Sequence, residues 1–140
     1  MNDFLSACGA TGRSAYTNMQ LADLAYPAVF GLFLATSLAV ALRRLGIRGP
    51  VLVALAMLPM LGAAFDYLEN VFAWRAIAAF PEPSGTDGLL GLASAAKTTT
   101  FWLAGLLLLA ITVKLAIRTI HRRLRRLDQR STDAVSTETA

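Results

Sequence analysis

Three apolar stretches, Leu24 to Leu42, Val51 to about Phe80 and Leu89 to Ile117, leave this chain few folds to choose from. Each reaches the roughly 20 residues that a helix needs to cross the hydrocarbon core of a bilayer, and the last two exceed it. In lipid every backbone N–H and C=O must be satisfied within its own helix or within a closed barrel, and no stretch alternates as barrel strands do. The expectation is an all-α integral membrane protein, a three-helix transmembrane bundle over residues 24–117 with spans at 24–42, 51–80 and 89–117. With 56% hydrophobic and 16% charged residues among 140, the chain is too apolar for an ordinary soluble domain and too short for a large transporter.

The placement of charge, more than its net value of +4, sets the expected topology. Arg43, Arg44 and Arg48 fill the first connection, and Arg118, Arg122, Arg123, Arg125, Arg126 and Arg130 follow the third span. The other connection, Pro81 to Gly88, carries Glu82 and Asp87 and no base. Positive charge stays on the cytoplasmic side, so the amino terminus is expected outside and the carboxyl terminus inside, as in a bacterial cytoplasmic membrane. These arginines stand where orientation alone would put them, so the high pI does not call for a nucleic-acid partner. The basic run also makes Arg122, Arg123, Arg125 and Arg126 candidate ligands for anionic lipid headgroups, at about 1 kcal/mol per residue near the surface, or a plain topology anchor.

Residues 1–23 read as an outer-side segment, irregular through Gly12 and then amphipathic and helical. Arg13, Tyr16, Gln20, Asp23 and Pro27 recur every three or four residues and so share one face. Tyr16 and Tyr26 suit the headgroup level, where a ring has one apolar and one wet neighbour. Leu5-Ser6-Ala7-Cys8 spells a lipobox, but Met1 to Phe4 supply neither a basic nor an apolar leader, so lipidation is not expected. A single cysteine can make no internal disulfide. Residues 118–140 read as a basic helical extension passing into a disordered Ser/Thr-rich tail from Asp128.

Inside the second span stands a polar cluster, Asp66-Tyr67-Leu68-Glu69-Asn70. A carboxylate in a bilayer costs roughly 2.5–3.5 kcal/mol on insertion scales and persists where it has a partner or a task. A short antiparallel hairpin places residues equally distant from its turn at equal depth. Centring the outer turn near Ser84 brings Glu69 level with Thr99 and Asn70 level with Thr98, with Lys97 within a turn. Centring the inner turn near Gly46 brings Asp23 and Tyr26 level with Glu69 and Asp66. The candidate ligand or proton site is therefore Asp23, Tyr26, Asp66, Glu69, Asn70, Lys97 and Thr100, with Arg13 and Arg75 at its rim. The three acids Asp23, Asp66 and Glu69 outnumber Lys97 and Arg75 by one, so one carboxyl is expected to take a proton, a cation or a positively charged ligand. The alternative is structural: Glu69 and Lys97 neutralise each other and lock helix register, while Thr hydroxyls return hydrogen bonds to their own helix.

Gly9-Ala10-Thr11-Gly12-Arg13, then Tyr16, Gln20, Asp23 and Pro27, then Leu58-Pro59, Asp66-Tyr67-Leu68-Glu69-Asn70 and Lys97, resemble a family of small polytopic membrane proteins of unassigned function. The resemblance covers about residues 9 to 102, and the Asp-x-x-Glu-Asn element is its most specific part. It implies that these polar positions recur as a set. Members of that family often carry a further apolar span before the Gly-x-x-Gly-Arg segment, so the chain is either a three-span member or begins upstream of Met1.

Three functions fit these residues. One is an intramembrane polar site, open to the outer side, that binds a proton, a cation or a polar lipid headgroup, as a homo-oligomer or an accessory to a larger membrane partner. Another is a scaffold or assembly factor whose polar layer fixes its own register. The third is a lipid-modifying enzyme with Asp66 or Glu69 as acid or base, against which stands the lack of any nucleophile triad, paired-histidine motif or phosphate loop. His121 has no acid, Cys or His at metal-ligand spacing, so no metal is expected, and the sequence names no cofactor.

Overall fold

The computed structural model describes the backbone of residues 2–138 and the side chains of residues 3–127 and 129. Four helices follow one another: α1 (Asn2–Asp23), α2 (Ala25–Arg44), α3 (Pro50–Ala79) and α4 (Asp87–Glu138), with no strand among the described residues. Three stretches are long and apolar enough to cross a membrane: Asp3–Arg44, which takes in α1 and α2, then Pro50–Ala79 and Asp87–Leu127. The protein is an all-α membrane protein, a three-helix bundle of α2, α3 and α4 with α1 laid against its polar end. Its exposed apolar residues, among them Leu32, Phe33, Val53, Leu61, Leu103 and Leu109, form the surface that a bilayer covers.

Proline and glycine set the joints. Pro27 has no N–H and leaves the Asp23 carbonyl without its helical partner, and the helical hydrogen bonding lapses at Leu24, whose own backbone stays helical (φ −59°, ψ −31°). The Tyr67 hydroxyl donates a hydrogen bond to the Leu24 carbonyl at 2.8 Å, which pins this joint to α3. At the next turn the Leu45 N–H bonds back to Leu42 at 3.0 Å and Ile47 to Leu42 at 3.1 Å. Gly46 (φ 87°) and Gly49 (φ 70°) supply the left-handed backbone that turns the chain, and Pro50 opens α3 where its missing N–H does no harm.

α3 is the central helix, packed along both α4 and α2, while α2 and α4 touch each other less. At the arginine end the core is aliphatic: Leu38, Ala41, Leu42, Leu52 and Ile111 cluster together. Toward the other end small residues replace leucine. A Cβ on Gly31 would lie 3.1 Å from that of Ala63, and one on Gly62 would lie 3.2 Å from the Phe101 ring, so these glycines are the points of closest helix approach.

Two stretches depart from the sequence expectation. Residues 2–12, expected to be irregular, are helical with a single break at Gly9 (φ 64°), while Gly12 continues the helix. Residues 128–138, expected to be disordered, continue α4 in the backbone. No Gly or Pro follows Gly105, and Arg, Leu, Gln and Ala are good helix formers, so nothing local stops α4. The side chain of Arg130 and residues 139–140 lie outside the described residues. α4 also starts at Asp87 rather than Leu89, with the Leu90 N–H bonded to the Thr86 carbonyl at 2.8 Å.

The glycine contacts give a direct test. Gly62→Leu drives a side chain into the Phe101 ring and is expected to cost about 1–3 kcal/mol, read as a lower melting temperature in detergent. Gly105→Ala, whose added methyl meets nothing within 4 Å, is expected to leave it unchanged or slightly raised. Equal melting of the two variants would mean that α3 and α4 do not approach at Gly62.

Candidate functional site

Helix spacing and hairpin symmetry build the site. Asp66, Asn70 and Ala73 recur at three- and four-residue intervals on the buried side of α3. Asp66 is 4% exposed and Asn70 6%, while Glu69 lies beside them half-buried. Glu69 stands ten residues before the last residue of α3 and Lys97 ten after the first of α4, so the antiparallel hairpin brings them level. The Lys97 ammonium pairs with Glu69 Oε2 and lies 3.4 Å from Asp66 Oδ1. One cation therefore serves two carboxylates on the neighbouring helix.

α1 closes the layer from the other side. Gln20, 7% exposed, donates from Nε2 to Asn70 Oδ1 and to the Tyr16 hydroxyl, both at 3.5 Å. Asp23, at the end of α1, adds its negative charge to the field at Asp66, and Tyr16 stands in the field of both Glu69 and Lys97. Three polar atoms in this region are buried without a hydrogen-bond partner: Gln20 Oε1, Asn70 Nδ2 and, one turn along α3, Trp74 Nε1. Such groups cost about 1–3 kcal/mol each when unsatisfied and are normally met by water or a ligand.

The other expected site residues fall elsewhere. Tyr26 is 55% exposed and stacks on Phe30 at 5.3 Å, outside the cluster. Tyr16 turns inward, half-buried, with its hydroxyl accepting from Gln20 Nε2. Thr100 is buried, but its hydroxyl is committed to the Ala96 carbonyl at 2.5 Å, as an intrahelical role requires. Arg75 is exposed. Arg13 acts as a strut: it donates to the Leu5 carbonyl at 3.0 Å across the Gly9 break and lays its guanidinium 4.5 Å from the centre of the Phe80 ring. Arg122, Arg123, Arg125 and Arg126 are exposed along α4. Among the described residues no three His, Cys, Asp or Glu side chains converge as a metal group.

Tyr16 and Gln20 are the residues that sequence reasoning left out of the site. Their signal was present, since they share a helical face with Arg13 and Asp23, but the orientation of that face follows from the Pro27 joint and the Arg13 strut.

Depth and access complete the geometry. From Asp23 to Arg43 and from Lys97 to Arg118 is in each case about 20 residues, or roughly 30 Å of helix, the thickness of the hydrocarbon core. The polar layer therefore lies on the α1 side of the bundle, about one hydrocarbon thickness of helix from the arginines. A cleft of about 330 Å³, lined by Tyr16, Glu69, Asp87, Leu90, Gly91 and Ser94, opens onto it between α1, α3 and α4. No protein-family model matches the chain, and no curated protein or solved structure is significantly similar to it.

Removing the shared cation leaves two adjacent carboxylates without a partner. For fully buried pairs that loss runs to about 3–5 kcal/mol, and it is smaller here because the Lys97 and Glu69 side chains are 26% and 24% exposed. Lys97→Met is thus expected to melt well below wild type at pH 8. Equal melting of the two proteins would show that the ion pair contributes nothing to stability.

Proposed function

We propose that this protein is a small membrane binding protein whose carboxylate-rich layer receives a proton, a cation or the positively charged part of a headgroup. The observation that carries this reading is the charge imbalance: Lys97 is shared between Asp66 and Glu69, and Asp23 adds a third carboxylate. A layer built only to lock register is satisfied by one acid per base, as a buried pair in low dielectric requires. The surplus stands next to a cleft that reaches Glu69, and Gln20 and Asn70 keep hydrogen-bonding capacity in reserve beside it. With only three spanning helices the bundle encloses no aqueous path, so transport would need further copies or a larger partner.

The runner-up is a scaffold whose polar layer fixes helix register, favoured by the direct bridge from Lys97 to two residues of α3. The two readings part on linkage. A ligand that binds only the folded protein raises its stability by about 2.7 kcal/mol at a hundred times its Kd. Wild type, Asp66→Asn and Glu69→Gln are melted in detergent from pH 4 to 9, with and without divalent cations. The expected result is a proton- or cation-linked shift in wild type that Glu69→Gln and Asp66→Asn reduce or abolish. If all three respond in parallel and the variants merely melt earlier, the layer is structural.

We also propose that the α1 side faces outward and the arginine ends face the cytoplasm, supported by the arginines at the α2–α3 turn and along α4 beyond Ile117. Cys8, the single cysteine, reports on this directly. A membrane-impermeant maleimide is expected to label it in intact cells, and labelling only after lysis would reverse the orientation.

A further inference from the structure

α2 and α4, the two spanning helices that pack least against each other, leave an apolar groove beside Lys97 and a larger one, of about 500 Å³, at the arginine end. Val40, Ala41 and Arg44 line the larger groove on one side, and Leu108, Leu115 and Ala116 line it on the other. Its floor is firm, because Ala41 belongs to the aliphatic core and Leu108 and Leu115 pack against that core. Thr112 and Thr119 also border it, and their hydroxyls are committed to their own helix, donating to the Leu108 carbonyl at 2.7 Å and the Leu115 carbonyl at 2.8 Å. Arg44 is the one charged side chain among the lining residues. No Asp or Glu occurs between Asp23 and Asp66 or between Asp87 and Asp128, and no carboxylate pairs with Arg44 among the described residues. The stripe of α4 that faces the groove, Leu108, Thr112, Leu115 and Thr119, continues at the same three- and four-residue spacing to Arg122, Arg123 and Arg126. Arg118 stands about 100° around the helix from Thr119, off that stripe.

We propose that this groove seats one phospholipid of net negative headgroup from the leaflet at the arginine end, its acyl chain over Ala41 and Ala116 and its phosphate at Arg44, Arg122 and Arg123. Charge complementarity selects the occupant. The groove is apolar along its length and ends in guanidiniums with no acid among them, which is the complement of an acyl chain joined to an anionic head. A guanidinium binds phosphate oxygens through two parallel N–H···O bonds, and its long stem lets it reach from the groove wall to headgroup level. A zwitterionic lipid adds an amine that these arginines repel. Lipid tails are as apolar as the groove wall, so the wall alone does not favour one lipid over its neighbours and the headgroup contacts decide occupancy. The site is at the opposite end of the bundle from Asp66, Glu69 and Lys97, and it is independent of the binding role proposed for that layer.

The full chain is purified in a neutral detergent and titrated with dioleoyl phosphatidylglycerol or with phosphatidylethanolamine of the same chains, and adducts are counted by native mass spectrometry. Wild type is expected to retain one phosphatidylglycerol, with phosphatidylethanolamine about tenfold weaker. Arg44→Gln removes the guanidinium at the groove wall, and Ala116→Phe fills the groove from an exposed position. Each is expected to weaken phosphatidylglycerol retention about tenfold. Arg118→Gln removes the same charge beside Thr119 but off the groove stripe, and is expected to bind as wild type does. Equal weakening by Arg44→Gln and Arg118→Gln would reduce the effect to diffuse surface charge and overturn the proposal. Equal retention of the two lipids, unchanged retention by Ala116→Phe, or a dimer that lipid does not displace would overturn it as well.

Discussion

A lysine ammonium set between two carboxylates, one of them almost wholly buried, has to be held from both sides. Its charge is stabilised only while Asp66 and Glu69 stay within reach, and their charges are stabilised only while it does. α3 and α4 must therefore keep one register, with Glu69 and Lys97 equidistant from the turn, and α1 must close over the layer to exclude lipid from it. The other contacts of this end of the molecule follow from that demand. Tyr67 ties the α1–α2 joint to α3, Arg13 braces α1 across its break and onto Phe80, and Gly62 lets Phe101 pack closely enough to wall off the layer.

The bundle divides along its length. Near the arginines, leucine and isoleucine fill the space between helices, and nothing there needs exact placement beyond steric fit. Near the polar layer, Ala63, Ala73 and Gly62 bring backbones together, and side chains are positioned by hydrogen bonds and charge. In lipid there is little hydrophobic gain when helices associate, so close packing and polar contacts must hold the assembly. The aliphatic end sets the orientation of the helices, and the polar end sets their rotation and register.

The division between what the sequence disclosed and what it concealed follows the same line. The spans were legible because a long apolar run has few alternatives in a bilayer, and the meeting of Glu69 with Lys97 was legible because a short hairpin fixes depth. The place of Tyr16 and Gln20 was not: Pro27 announces a joint before α2 but not the direction in which α1 leaves it, and Arg13 reaches two distant partners that no local pattern encodes. Tyr26 was drawn into the cluster by depth alone. Depth follows from counting residues, whereas direction around the axis depends on how far each helix is rotated. The glycines near the amino terminus misled in a related way, because Gly12 is compatible with a helix and only Gly9 leaves it.

Two spaces of opposite character meet at Lys97: a polar cleft along α1 and an apolar groove along α2 and α4. A small three-helix bundle has no interior volume for a ligand, so any site it carries must be at its surface and borrow part of its enclosure from the bilayer. A residue that is apolar along its stem and charged at its tip is the side chain that can join such spaces, with methylenes in one and ammonium in the other. An arginine here would carry a broader, planar charge that prefers a single carboxylate in bidentate contact, and would not be shared as a point charge between two.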